Sequence, residues 1–187
     1  MQYYDEANDT VISLSSRRVA TTAPVGPSDP FEIELSGTTF TANEITTICS
    51  STTNAPVGYN VMNVGSPFGN VNGTSGNDII YRTGGWGNTY GNNGNDIICI
   101  YDGTGNTEGG SGNDIILRED GTGNIVGGDG DDSIWSVSHV GNLTGDDGDD
   151  VFYAHESMGN VDGGIGYDKL HYNGGISVPN TTVEEIF

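Results

Sequence analysis

The feature that most constrains this chain is a repeat of 18 residues that runs from Gly69 to His171 without insertion or deletion. Six copies stand in register. Glycine fills the columns Gly69, Gly87, Gly105, Gly123, Gly141, Gly159 and Gly73, Gly91, Gly109, Gly127, Gly145, Gly163. Asparagine fills Asn70, Asn88, Asn106, Asn124, Asn142, Asn160, and aspartate fills Asp78, Asp96, Asp114, Asp132, Asp150, Asp168. A further column is always apolar: Ile80, Ile98, Ile116, Ile134, Phe152, Leu170.

A unit this short cannot bury a face alone, so each copy must stack on its neighbours. One copy per superhelical turn then places identical residues in columns about 4.8 Å apart. The expected fold is all-β: a right-handed parallel β-roll, or β-solenoid, of six turns with a short N-terminal β segment. Each turn divides into two short strands and two glycine-rich bends. The first bend, Gly109-Gly-Ser-Gly-Asn-Asp114, leads into Ile115-Ile-Leu117, and the second, Asp120-Gly-Thr-Gly-Asn124, leads into Ile125-Val126. With one inward residue per three-residue strand, the core is two facing ladders. One is the Ile80 to Leu170 column; the other is Val71, Thr89, Thr107, Ile125, Leu143 and Val161, thinned by its two threonines. At roughly 1.5 to 3 kcal/mol per buried branched side chain, so narrow a core does not offset the ordering of about a hundred glycine-rich residues.

Charge points to what else helps. The chain has 26 acidic against 5 basic residues, a formal charge of −21, which repels phosphate backbones and anionic lipid surfaces. Nucleic acid is therefore not an expected partner. No run of 18 apolar residues is present to insert in a membrane. The natural counterion is a metal cation. Calcium takes six to eight hard oxygens, and a bend of the form Gly-Gly-x-Gly-x-Asp offers several peptide carbonyls and one carboxylate, with glycine permitting the positive φ angles that turn them inward. Six bends enclose five gaps, so about five Ca²⁺ are expected along one edge of the roll. The candidate ligands are the six aspartates Asp78 to Asp168, the six glycines Gly73 to Gly163, and the bend residues Asn77, Asn95, Asn113, Asp131 and Asp149.

The segments Gly109-Gly-Ser-Gly-Asn-Asp-Ile-Ile-Leu117 and Gly127-Gly-Asp-Gly-Asp-Asp-Ser-Ile-Trp135 resemble the nonapeptide of the RTX (repeats-in-toxin) family of calcium-binding, hemolysin-type β-rolls. The resemblance spans residues 73 to 171. It implies a protein exported unfolded through a type I secretion channel, folding in millimolar external calcium, and so located outside the cell or at its surface. That route uses no Sec signal, and residues 1 to 20 show none. The pattern departs from the family at the second bend, where Gly-Asn stands in place of Gly-x-Asp. Calcium is therefore expected on one edge only, with the asparagine column forming a structural ladder on the other.

Three segments are distinguished: residues 1–66, a β-strand, capping or assembly segment; 67–174, the roll; and 175–187, a final strand or an export signal. Gly58, Asn60 and Met62 fall where a degenerate turn would cap the repeats. Val11–Leu14, Phe31–Leu35 and Thr38–Thr41 read as strands around a Pro-rich linker at Ala23–Pro30. Cys49 and Cys99 could bridge or stand as two buried thiols.

No catalytic set emerges. His139, His155 and His171 are 16 apart, out of phase with the repeat, so they do not stack. The outward columns beside the first ladder are apolar, among them Ile79, Tyr81, Ile97, Ile115, Leu117, Trp135, Val151 and Tyr153. A solvent-facing sheet would be polar there, so this sheet should be covered, by the chain's own strands or by a second copy of the protein. The functional expectation is a calcium-dependent extracellular structural or assembly subunit, of a filament, surface layer, matrix or adhesin. Alternatives are an ice-binding roll, for which Thr104 and Thr122 match but Phe68, Trp86, Val140 and Met158 do not, and the secretion module of an exported enzyme.

Overall fold

The computed structural model describes residues 2–5, 10–13, 32–35, 38–50, 55–173 and 182–186. They divide into two units, Met1–Ala55 and Pro56–Phe187. In the first, Gln2–Asp5 pairs antiparallel with Thr10–Ser13, and Glu32–Leu35 pairs antiparallel with Thr38–Thr41. The three expected strands thus appear, each shorter or shifted by no more than one residue at an end. A helix, Ala42–Ser50, was not expected; its start carries the Thr41-x-x-Glu44 pattern of a capping box. The Pro-rich linker lies outside the described residues.

The second unit is a parallel β-solenoid of about seven turns. Its first sheet has eight strands: Asn60–Gly65, Asp78–Arg82, Ile97–Tyr101, Ile115–Glu119, Ser133–Val137, Val151–His155, Lys169–Asn173 and Glu185–Ile186. Its second sheet has six: Val71–Asn72, Thr89–Asn93, Thr107–Ser111, Ile125–Asp129, Leu143–Asp147 and Val161–Ile165. Pairing follows the repeat, with Ile98 beside Ile116 and Ile116 beside Ile134. The seventh turn is the degenerate one: Asn60 pairs with Asp78 and Met62 with Ile80. Because that turn belongs to the solenoid, the unit boundary falls before residue 56 rather than after 66. At the other end Glu185 and Ile186 pair with Lys169 and Leu170.

The two facing ladders form the core, joined by Ile100 and Ala154. These additions correct the expected strand length. The strands of the first sheet are mostly five residues long, so a second column also faces inward: Arg82, Ile100, Arg118, Ser136, Ala154 and Tyr172. Arg82 and Arg118 are only 2% and 1% exposed. Burying a guanidinium is costly unless its donors are used, and here most of them are, with only Arg82 Nη2 and Arg118 Nε left without a partner. Arg82 Nη1 donates to the Gly87 carbonyl at 2.5 Å and to Thr89 Oγ1 at 3.0 Å. Arg118 Nη1 donates to the Gly105 carbonyl at 2.8 Å and to Thr107 Oγ1 at 3.3 Å, and its Nη2 donates to the Thr122 carbonyl at 2.8 Å. The two threonines that thin the apolar ladder are therefore the seats of the two arginines.

The outward residues of the first sheet are buried in the single chain: Ile79, Tyr81, Ile97, Ile115, Leu117, Trp135 and Tyr153, with Val151 half-buried. Neither Cys49 nor Cys99 is a free thiol; both are disulfide-bonded.

Candidate metal centre

The first bends carry a ladder of carboxylates. The main-chain N–H of Asp78, Asp96, Asp114, Asp132 and Asp150 each donates to Oδ1 of the aspartate one turn later, at 2.7–2.9 Å. The other oxygen is left over. Oδ2 of Asp96, Asp114, Asp132, Asp150 and Asp168 is buried with no hydrogen-bond donor. Five orphaned anionic oxygens in one column are far from the usual case, since buried polar atoms nearly always find partners. Asp78 differs: its Oδ2 accepts the Thr74 N–H at 2.6 Å and the Thr74 hydroxyl at 3.0 Å. The first of the five expected gaps is thus already supplied with donors by the protein.

Opposite the aspartates stands the column Gly91, Gly109, Gly127, Gly145, and an added methyl at any of these would strike the Oδ2 of its own turn and the glycine carbonyl of the next. At Gly91 the two are Asp96 Oδ2 and the Gly109 oxygen; at Gly127 they are Asp132 Oδ2 and the Gly145 oxygen. Two oxygens bordering one point fit within the roughly 5 Å span of a calcium coordination shell. These glycines do not have left-handed φ values. Their role is room for the carboxylate, which corrects the expectation that all bend glycines serve positive φ. The left-handed angles fall later in the bend, as at Gly112 (φ 121°) and Gly130 (φ 126°).

Asn77, Asn95, Asn113, Asp131 and Asp149 form a second ladder in the same bends. Their Oδ1 atoms accept the main-chain N–H one turn later, at Asn95, Asn113, Asp131, Asp149 and Tyr167, at 2.8–3.1 Å. Among the described residues no three His, Cys, Asp or Glu side chains converge; each gap offers one carboxylate together with peptide oxygen.

Burial makes this column reluctant to hold bare charge. Desolvation pushes the Asp96 and Asp150 carboxyls up to about 7, Asp114 to about 8 and Asp132 to about 9. The Asp168 carboxyl is also raised, by burial first and then by the charges of Glu184, Asp149 and Asp162. A divalent ion would cancel the cost in one step.

The second edge is tied by side-chain to main-chain hydrogen bonds. Its asparagines form the expected ladder through the main chain: the N–H of Asn88, Asn106, Asn124, Asn142 and Asn160 donates to Oδ1 of the asparagine one turn earlier, at 3.0–3.1 Å. The inward glycine carbonyls of these bends meet side-chain donors. Gly87 and Gly105 receive Arg82 and Arg118, and Gly123 receives His139 Nε2 at 2.6 Å. Since a carbonyl only accepts, that nitrogen carries the proton, and burial lowers the ring to about 4, so it is neutral at pH 7. Arginine and histidine thus stand on this edge as resident donors, a role the sequence reading had not assigned. The three histidines lie in different columns, as their spacing requires: His155 beside Val137, and His171 beside Tyr153, against which it stacks at 4.6 Å.

The second edge also carries an exposed ridge. Phe68, Trp86, Thr104, Thr122, Val140 and Met158 bridge in parallel register, and Phe68 and Trp86 are 91% and 69% exposed.

Fold and site together define a parallel β-solenoid with an oxygen-lined, anionic first edge and a donor-capped second edge. Compared with protein families, with characterised proteins and with solved structures, the chain matches none. Among the described residues no helix is long and apolar enough to cross a membrane.

Proposed function

We propose that this chain is a calcium-loaded structural β-roll of the RTX kind, whose folding is coupled to Ca²⁺ binding along the first edge. The observation that carries the reading is the column of buried Oδ2 atoms at Asp96, Asp114, Asp132 and Asp150, each beside a glycine carbonyl of the following turn. Every donor identified there is oxygen, the donor set calcium prefers to softer metals. When bound, the ion would supply positive charge beside oxygens that no side chain among the described residues donates to. The aspartates would hold it, the glycine column leaves it space, and the Oδ1 ladder fixes each carboxylate. Binding free energy is then folding free energy.

An extracellular site of action fits this chemistry, because millimolar calcium is found there and the disulfide-bonded cysteines suit an oxidising compartment. Export by a type I route is the expectation that accompanies the RTX resemblance. We take the wider role to be structural or assembly rather than catalytic. The ridge of Phe68, Trp86, Val140 and Met158 supports an association surface over an ice-binding array, in which threonine would recur at every turn.

Calcium titration followed by circular dichroism and sedimentation tests both parts. The β signal should rise cooperatively with calcium, and in EGTA it should be weaker and melt at a lower temperature; full β signal in excess EGTA would end the calcium reading. Monodisperse monomers at high calcium and high protein concentration would end the assembly reading.

A further inference from the structure

The last bend lacks a successor. In earlier turns the aspartate N–H reaches a carboxylate one turn later, and the Gly73 N–H reaches the Tyr90 carbonyl at 2.7 Å. After Asp168 no seventh repeat of the bend stands among the described residues, and both functions are met by the tail. The Asp168 N–H donates to Glu184 Oε2 at 2.7 Å, and the Gly163 N–H donates to Thr182 Oγ1 at 3.1 Å. The Thr182 hydroxyl in turn donates to Asp162 Oδ1. Glu184 and Glu185 return main-chain N–H groups to the Asp168 carbonyl, at 3.0 and 3.2 Å. Glu184 is the seventh carboxylate of the ladder, 16 residues on instead of 18, supplied by a side chain one methylene longer.

This arrangement leaves Asp168 Oδ2 buried and without a donor at a residue that is 0% exposed. It differs from the oxygens at Asp96 to Asp150 in one respect: the atoms nearest a methyl added at Gly163 are all those of Asp168, with no glycine carbonyl among them. The tail brings two side-chain oxygens to this end, the Glu184 carboxylate on the Asp168 N–H and the Thr182 hydroxyl on the Gly163 N–H, and the Glu184 charge is felt at Asp168. Two carboxylates brought together at the end of an already anionic column repel each other unless a cation lies with them.

We infer that Asp168, Glu184 and Thr182 form a terminal divalent-cation site, and that its occupancy docks the tail Thr182–Ile186 onto the roll. The inference rests on the calcium reading above and goes beyond it: the site is not a gap between repeats, and one of its carboxylates comes from outside them. It also redistributes the ions. The first gap, where Thr74 already satisfies Asp78, holds none, and the terminal site takes its place. Because ion and tail favour the same closed state, each strengthens the binding of the other.

The test compares the full-length chain with Glu184→Gln, which keeps an oxygen for the Asp168 N–H but removes the charge, and with Thr182→Val. Bound calcium is counted by native mass spectrometry, and hydrogen exchange is followed at the Glu184 and Glu185 amides. The expected result is one ion fewer in each variant, with those two amides exchanging as fast in calcium as the wild type does in EGTA, while the ladder amides at Asp96 to Asp150 stay protected. An unchanged ion count with unchanged tail protection in both variants overturns the terminal site and leaves the calcium reading standing. A wild-type chain that binds no calcium at all overturns both.

Discussion

The main-chain N–H of Asp114 donates to Oδ1 of Asp132 at 2.7 Å, which holds the Asp132 carboxylate rigidly while its Oδ2 stays buried with no donor. One half of the side chain builds the solenoid, and the other half is the oxygen that the proposed cation would meet.

Asp132→Asn separates the two roles. Oδ1 still accepts from Asp114, and the new amide Nδ2 donates to peptide oxygen where a bare Oδ2 had no partner. The variant should bind one calcium fewer. In EGTA at pH 8 it should be more stable than the wild type by about 1–3 kcal/mol, the usual cost of an unsatisfied buried group. Urea melts with and without calcium check both halves of the expectation.

Proton linkage gives a second prediction. Without metal the Asp96, Asp114, Asp132 and Asp150 carboxyls titrate at about 7, 8, 9 and 7 when folded, against about 4 in an unfolded chain. The folded state therefore holds more protons between those limits, and their stabilisation is lost as pH rises toward 9. Thermal melts in EGTA should show Tm falling from pH 5 to pH 9. In saturating calcium the fall should vanish, and calcium binding at pH 7.5 should release protons, readable with a pH-indicator dye.

Gly127→Ala places a methyl against Asp132 Oδ2 and 2.9 Å from the Gly145 carbonyl oxygen. The substitution should cost about 1–3 kcal/mol through overpacking, and more in calcium than in EGTA because it fills the space beside the ligand oxygens. Calorimetric titration should show a weakened or missing site.

Arg118→Met tests the second edge. Losing the guanidinium removes the donor to the Gly105 carbonyl and the Thr107 hydroxyl in the interior, while the Thr122 carbonyl keeps the Gly105 N–H. About 1–3 kcal/mol should be lost for each group left without its partner, and added calcium should not restore it. Recovery of wild-type stability by calcium would show that the second edge also takes the ion.

Much of the fold was legible because stacking turns a period into a geometry. The invariant aspartates and glycines of the bends, and the apolar residue at Ile80 and its successors, could be placed in columns before any coordinate was known. The degenerate turn at Met62 was visible in the same way. The arginines were not, since Arg82 and Arg118 recur at only two of six turns and read as surface charge when each strand is taken as three residues. Strand length decided that point. Longer strands carry position 118 back to the inside, where Thr107 gives it a partner. The helix Ala42–Ser50 was missed although Thr41 and Glu44 mark its start, because the strand at Thr38–Thr41 runs directly into it.

Period, register and the identity of each ladder were determined by the sequence alone, because one residue per turn repeated at constant spacing admits a single way of stacking. Only the tertiary structure decided which oxygens go without donors, which edge is capped by arginine and histidine, and that Glu184 serves as a seventh rung. Each of those depends on hydrogen bonds between side chains and main chain of different turns, and no local spacing records which donor a given oxygen will meet.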